Sequence, residues 1–183
     1  MKTFVKLLMC VACLALLSSC EKDDDFNEPS KVQVLRTFDA GFTVYDVTPG
    51  NSEVSKGRGE KIWKGEGESL LLGKFTAEIT LFCDMLIGYL CDLNGTLYFA
   101  DGSELYFSVD EGNLVCMLDN RTSRCDIYHF KFGEIATIEG GTKRLEGAKG
   151  SFKTEVLIHN AKNPDWFAQF ACDGKIVLQI KNE

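Results

Sequence analysis

Several residue types and motifs that would mark a metal site or a nucleotide enzyme are missing from this chain of 183 residues. It has only two histidines, His129 and His159, and the five cysteines beyond residue 20 show no CxxC spacing, so the common zinc-binding patterns are absent. No GxGxxG fingerprint occurs, and no glycine-rich loop has the spacing of a phosphate site. We therefore expect neither a metal nor a cofactor.

Long apolar runs are also scarce, and the most extended one stands at the start of the chain. It covers Leu7–Leu17, follows two lysines, and is too short to span a bilayer as a helix. Small residues lead from its end to Cys20, an arrangement that resembles the lipobox of bacterial lipoproteins. The sequence thus predicts a signal peptide at residues 1–19 and acylation of the Cys20 thiol, with an ordinary signal peptide and a chance cysteine as the alternative.

An acidic segment, residues 20–31, follows the predicted lipidation site. A block of like charge cannot bury itself, so we expect a solvated tether. Lys22 followed by Asp23, Asp24 and Asp25 resembles the surface-export signal of lipoproteins in one phylum of Gram-negative anaerobes. The resemblance implies a lipid anchor in the outer membrane with the chain exposed at the cell surface; the alternative is the periplasmic face.

Negative charge exceeds positive charge along the chain. The formal net charge is −7, and removal of residues 1–19 takes away two lysines and leaves −9. Such a chain is poorly suited to nucleic acid, whose binding depends on phosphate neutralisation. Residues 32–183 have the length of one domain that buries its own core, so we expect a single soluble body attached to the membrane through its lipid.

The cysteines do not form a complete disulfide framework. Once the signal peptide leaves and Cys20 is acylated, an odd number remains. These are Cys83, Cys91, Cys116, Cys125 and Cys172. If Asn120-Arg121 forms a two-residue turn, Cys116 and Cys125 lie opposite each other and a disulfide between them is compatible with the pattern, whereas Cys83 and Cys91 are not expected to pair.

A period of two dominates the sequence beyond Phe38, and no convincing amphipathic helix of ten residues occurs. Apolar and polar residues alternate in Phe75–Cys83, Tyr89–Phe99, Tyr128–Phe132 and Phe152–Ile158, with Gly95 as an expected bulge or kink. Half-buried antiparallel strands avoid exposed edges by closing on themselves. The predicted fold class is therefore all-β, a closed antiparallel up-and-down β-barrel of about eight strands.

Two Asp-Gly pairs, Asp101-Gly102 and Asp173-Gly174, predict hairpin turns. A loop of three residues at each pair keeps the flanking apolar residues on one face, whereas a loop of two residues would invert every side chain beyond it. We therefore expect three-residue loops, with both glycines in left-handed backbone.

The segment 138–152, IEGGTKRLEGAKGSF, is rich in glycine and lysine. Five residues separate Gly141 from Gly147 where a P-loop needs four, and the residues that follow alternate as a strand rather than forming a helix. The pattern therefore predicts a corner of the barrel, in which Leu145 and Ala148 fold inward and close one end.

The same segment resembles the I-x-G-G-T-G-R-F-x-G-A-x-G-S signature of the allene-oxide-cyclase and dirigent-like barrels and their bacterial secreted relatives. Gly65–Thr76 and Tyr98–Leu105 fit the same family in order, so the resemblance spans most of the barrel. The chain departs from the signature at Lys143, usually glycine, and at Leu145, usually phenylalanine. Lys143 argues against a left-handed turn at that position, whereas Leu145 still supplies an apolar plug.

The resemblance implies a cavity inside the barrel and two plant activities, cyclisation of fatty-acid epoxides and stereochemical guidance of phenoxy radical coupling. No functional residue of either activity matches a motif here. The candidate ligand-binding residues are Glu134, Tyr128, Tyr89 and Trp166. Glu134 shares the parity of Phe130 and Phe132, and an inward carboxylate needs a partner or a ligand. The alternatives are that Glu134 lies beyond the buried stretch near the rim, and that Trp166, like Trp63, fills the core.

Three functions are open at this point. The first is a surface lipoprotein whose barrel binds a small apolar or glycan-type ligand or a protein partner. The second is a cavity isomerase or cyclase, and the third is an accessory subunit of an outer-membrane uptake complex. Nothing in the sequence resembles a catalytic constellation, which favours binding over catalysis.

Overall fold

The computed structural model describes residues 31–49, 58–84, 88–116, 130–158 and 168–181. The predicted signal peptide, Cys20 and the predicted tether at residues 20–31 lie outside these ranges, except for Lys31, which is the first residue of β1. The described residues form ten strands and one short 3-10 helix at Lys143–Leu145. The strands are β1 (Lys31–Asp46), β2 (Arg58–Ser69), β3 (Gly73–Asp84), β4 (Tyr89–Phe99), β5 (Glu104–Asn113), β6 (Val115–Cys116), β7 (Phe130–Phe132), β8 (Ile135–Gly141), β9 (Lys149–Ile158) and β10 (Ala168–Lys181).

The sheet closes into an antiparallel barrel of eight strands. Strands β1 to β5 pair in sequence order, β5 pairs with β8, β8 with β9, β9 with β10, and β10 returns to β1. Strand β7 extends β8 along the same partner, because both pair with β9 in one continuous register. The predicted all-β, up-and-down barrel of about eight strands is therefore confirmed.

The connections separate into two ends of the barrel. At one end, here called the turn end, residues 70–72 and 100–103 form tight turns and the corner at residues 142–148 joins β8 to β9. At the other, here called the loop end, the connections run through residues 47–57, 85–88, 117–129 and 159–167. Three of these four are nine residues or longer, and most of their residues lie outside the described ranges.

Aromatic side chains fill the described interior. On β1, β3 and β9 the alternate residues that the sequence pattern turns inward are buried, among them Phe42, Phe75 and Phe152. The Phe42 ring stacks on Phe170 with 4.4 Å between centroids, and edge contacts continue from Phe42 to Phe75 and from Trp63 to Phe170. Trp63 therefore fills the core, as one of its two predicted alternatives had it.

The hairpin predicted at Asp101-Gly102 is confirmed. Tyr98 pairs with Glu104, and the Phe99 N–H donates to the Ser103 carbonyl at 2.9 Å, which leaves Ala100 to Gly102 as a three-residue loop. The N–H of Gly102 donates to the carbonyl of Phe99 at 2.9 Å, and Gly102 has a φ of 75°. Glycine occupies this left-handed backbone without the strain that a β-carbon adds.

The hairpin predicted at Asp173-Gly174 is wrong, because β10 runs through both residues without turning. Gly174 pairs with Phe38 on one side and Phe152 on the other, and its φ is not positive. A β-carbon at Gly174 would lie 2.3 Å from the Ser151 carbonyl oxygen, so the glycine permits a close approach of β9 rather than a turn. A three-residue loop and an unbroken strand leave side-chain parity the same, so the apolar pattern could not separate them.

The irregularity predicted at Gly95 lies elsewhere on β4. The register against β3 shifts between Thr80 and Phe82, and Asp92 has a φ of 50°. Gly95 itself stays in register, and a β-carbon there would lie 2.1 Å from the Phe107 ring. The bulge also changes the inward residue near the strand start, where Leu90 is buried and Tyr89 only half-buried.

Candidate functional site

The glycine-rich corner is a structural clamp at the turn end. Leu145 and Ala148 are buried, as predicted for the segment that closes the barrel. The Arg144 guanidinium donates from Nη2 to the Leu72 carbonyl at 2.9 Å and from Nε to Ser103 Oγ at 3.1 Å. It also forms an ion pair with Asp101 at 2.6 Å. Arg144 thereby joins the corner to both tight turns of this end.

The backbone at Lys143 contradicts the prediction drawn from its side chain. Lys143 has a φ of 52°, so it adopts the left-handed conformation that the signature's glycine would take. Its ammonium donates to the Asp101 carbonyl at 3.1 Å. The surrounding corner therefore imposes the turn on a residue that has a β-carbon.

The pKa of the Asp101 carboxyl, which forms the ion pair with Arg144, is lowered. Hydrogen bonds from Ser103, first from its hydroxyl and then from its backbone N–H, lower the pKa of the Asp101 carboxyl, and the charge of Arg144 acts in the same direction. These contacts hold turns together, and none of them leads into the barrel interior. The corner is therefore not assigned a ligand.

A gap in the hydrogen-bonded ladder of the wall marks a different region, nearer the loop end. Strands β5 and β8 pair from Leu105–Gly141 to Ser108–Thr137, and β6 and β7 resume at Val115–Lys131. Between these pairs, no ladder pairing joins residues 109–114 to residues 132–136, all of which the structure describes. We call this interruption the ladder gap.

Glu134 lies in the ladder gap. It follows Phe130 and Phe132 on the inward row of its strand, and the buried residues Ala136 and Ile138 continue that row beyond it. Glu134 itself is half-buried. The alternative that Glu134 lies past the end of the buried stretch is therefore wrong, because buried residues flank it on both sides.

Thr154 of β9 holds the Glu134 backbone in place. The Thr154 N–H donates to the Glu134 carbonyl at 2.8 Å, and the Thr154 hydroxyl donates to the same oxygen at 2.9 Å. The Glu134 N–H in turn donates to Thr154 Oγ1 at 3.3 Å. Since the Thr154 side chain is fully buried, these bonds fix the position of Glu134 with little competition from water.

Gly112 of β5 gives the Glu134 side chain its room. A β-carbon on Gly112 would lie 2.6 Å from Glu134 Cγ and 2.4 Å from the Phe132 ring. Both side chains therefore pass directly over the glycine, across the line where the ladder is interrupted. Sequence reasoning singled out Glu134 by parity, but nothing in the sequence pointed to Gly112, whose role depends on a contact between distant segments.

Exposed aliphatic side chains lie at both margins of the ladder gap on the outer surface. Ile135 is 68% exposed and Val115 60% exposed, and Leu157 is 37% exposed. Val115 and Leu157 flank Lys131, which pairs with both residues across the sheet. The region thus combines an apolar outer margin with a carboxylate on the inward row.

A second group of charged residues lies at the loop end. Lys61, on the inward row of β2 beside Trp63, has a side chain only 7% exposed and lies 4.0 Å from an Asp46 carboxylate oxygen. Arg58 forms an ion pair with the buried Asp84 at 3.4 Å. These pairs compensate the charge that burial makes costly, and sequence reasoning had singled out none of their members.

The remaining predicted residues are placed only in part. Tyr128, Trp166 and Cys125 lie outside the described residues, as does the side chain of Cys116, so the Cys116–Cys125 disulfide stays a prediction. Tyr89 pairs with Asp84 on β3 and with Asn113 on β5, one residue along from Gly112, so the backbone places it at the same end as Glu134.

The described cysteines with assigned side chains are buried thiols. Cys83 and Cys172 are both in this state. Burial raises the pKa of the Cys172 thiol to about 12, so the thiol stays protonated near neutral pH and is a poor nucleophile. Within the described residues, no group of three or more His, Cys, Asp and Glu residues is placed to hold a metal ion, and no helix is long and apolar enough to cross a bilayer.

Comparisons with known proteins add little beyond the fold. No family model matches the chain, and no curated protein matches it. Among solved structures, the chain is similar to a pterocarpan synthase dirigent protein, with 13% sequence identity and a TM-score of 0.47. The match covers 84% of this chain and 88% of the other. At this TM-score the similarity carries no conclusion about function.

Proposed function

We propose that the chain is a surface-anchored lipoprotein whose barrel binds a small ligand or a protein partner at its loop end. The single observation that carries this proposal is the structural difference between the two ends of the barrel. The turn end has tight turns and the Arg144 clamp, whereas the loop end carries the longer connections, the buried Lys61 and the ladder gap nearby. Binding residues concentrate on loops that a rigid scaffold positions.

The predicted lipid anchor precedes β1 in the chain. Strand β1 begins with Lys31 at the turn end, so the chain enters the barrel at the end opposite to the proposed binding region. Strand β1 has 16 residues, which at about 3.3 Å per residue gives at most roughly 50 Å between its first residue and the loop end. Acylation of Cys20 would supply that anchor.

The cavity isomerase is a weaker candidate. Catalysis inside a barrel needs space for substrate between facing polar groups, and the described interior is occupied by stacked and edge-packed aromatic rings. Glu134 is the observation that favours this candidate, because it is a half-buried carboxylate on the inward row and Thr154 holds its backbone in place.

Three measurements test the proposal. Radiolabelled palmitate should enter the wild-type chain and not a Cys20→Ser variant, and protease added to intact cells should degrade the wild-type protein. Purification from its own membranes should then recover a bound small molecule or a partner protein. A chain that is unlabelled, or that is protected from protease until the outer membrane is opened, would overturn the surface-lipoprotein assignment.

A further inference from the structure

We infer that the ladder gap is a binding site for the ammonium head of an amphiphilic amine, with Glu134 as its counter-ion. This inference rests on the proposed binding function and deepens it by naming the class of ligand. It starts from a half-buried carboxylate, that of Glu134, whose backbone Thr154 holds in place. A partly desolvated charge favours an opposite charge more strongly than an exposed one does.

Two described lysines on neighbouring strands, Lys131 and Lys153, do not neutralise Glu134. Lys153 donates to Glu155 at 3.1 Å, and the pKa of the Glu155 carboxyl is lowered first by that hydrogen bond and then by the charges of Lys131 and Lys153. Both lysines therefore act on the outer face, where Glu155 lies. Among the described residues, no lysine or arginine forms an ion pair with Glu134.

The ladder gap offers separate positions for the ammonium head and the apolar tail of such a ligand. The head would meet the Glu134 carboxylate beside β5, where no ladder pair joins residues 109–114 to residues 132–136 and Gly112 leaves the Glu134 side chain its space. The tail would lie on the exposed side chains of Val115 and Ile135 at the two margins of the gap. Apolar contacts of this kind add about 25 cal/mol per Å² of surface removed from water.

The charge of the whole chain favours the same ligand. With a formal net charge of −7, the chain attracts cations and repels carboxylate or phosphate amphiphiles of the same size. An ammonium head also supplies three hydrogen-bond donors, whereas a carboxylate head supplies none for Glu134 to accept.

Titration calorimetry with two probes of equal chain length, octylammonium and octanoate, tests the inference on the purified full chain. Octylammonium should bind the wild-type protein at least tenfold more tightly than octanoate does. Glu134→Gln should lose at least tenfold of that affinity, while Glu139→Gln should keep it, because Glu139 is an exposed carboxylate on β8 that accepts a hydrogen bond from Ser108. Gly112→Ala, which pushes the Glu134 side chain aside, should weaken binding as well.

The possible results separate the two proposals. Equal binding of octylammonium to the Glu134→Gln and Glu139→Gln proteins, or no binding to the wild type, would overturn the ammonium site. Octanoate that binds the wild type as tightly as octylammonium does would also overturn it, yet would leave the general binding function standing. Thermal melts accompany each titration; should Glu134→Gln fail to fold, Glu134→Asp, which keeps the charge but withdraws it by one methylene, must show intermediate affinity.

Discussion

Removal of the Arg144 side chain is the sharpest test of the turn-end clamp. Arg144→Ala takes away a charged hydrogen bond to the Leu72 carbonyl, an ion pair with Asp101, and a guanidinium that lies 5.2 Å from the centre of the Phe99 ring. A hydrogen bond to a charged group contributes about 1.5 kcal/mol, a partly exposed ion pair about 0.5, and a cation–π contact about 0.5 to 1. The free energy of unfolding should therefore fall by about 2–3 kcal/mol.

For a domain of this size, each kcal/mol shifts the melting temperature by about 2–4 °C, so Arg144→Ala should melt roughly 5–10 °C below the wild type. Arg144→Lys should recover only part of this loss, because a lysine cannot reach the two turns with one planar group. Lys149→Ala, an exposed change at the end of the same glycine-rich segment, is the control and should shift the melt by no more than about 2 °C. Differential scanning calorimetry gives all three values. If Arg144→Ala and Lys149→Ala had the same melting temperature, the inference that Arg144 holds the turn end together would be refuted.

Three other predictions follow from the same features. Lys143→Gly should raise the melting temperature relative to Lys143→Ala, because glycine relieves a left-handed backbone that costs about 1 kcal/mol with a β-carbon; equal melts would contradict this. Gly174→Ala should destabilise the barrel by about 1–3 kcal/mol in urea titrations, whereas Gly41→Ala, where a β-carbon meets nothing within 4 Å, should be nearly neutral. The lowered pKa of Asp101 means that its contribution is present above its ordinary value of 3.8 and is lost as the pH falls through the folded-state pKa. Acid titration of Asp101→Asn should accordingly show a smaller loss of stability below pH 4 than the wild type shows, and an unchanged slope would exclude Asp101 as a contributor.

The sequence predicted the barrel because its information is local and periodic. The alternation of apolar and polar residues predicts that Phe75 and Phe152 are buried, and this prediction does not depend on which strands are neighbours. The three-residue loop at Asp101-Gly102 follows from the conformational preferences of turn residues. The same reasoning failed at Asp173-Gly174. There the glycine is needed because β9 packs too closely against β10 to leave room for a β-carbon. A contact between segments that are distant in sequence leaves no local signal.

Within the candidate site, the sequence predicted one residue, Glu134. Parity put Glu134 on the inward row, and the structure adds what holds it there, namely Thr154 from one neighbouring strand and Gly112 from the other. The ladder gap could not be foreseen, because it depends on which strand follows β5 in space. Strand β8, rather than the next segment along the chain, takes that place.

The seam between β1 and β10 has a consequence for how the chain reaches its native state. This seam pairs Lys31 with Lys181 and continues through 14 registered positions to Val44 and Ala168, so the first and last strands of the barrel are bonded to each other. Bringing together ends about 150 residues apart costs roughly 4 kcal/mol of chain entropy before any of these bonds forms. The barrel therefore cannot close until its final strand has been synthesised, and a chain lacking β10 would leave the edges of β1 and β9 unpaired and prone to aggregate. Until β10 has been synthesised, the chain therefore stays open and exposes the apolar rows that the closed barrel buries.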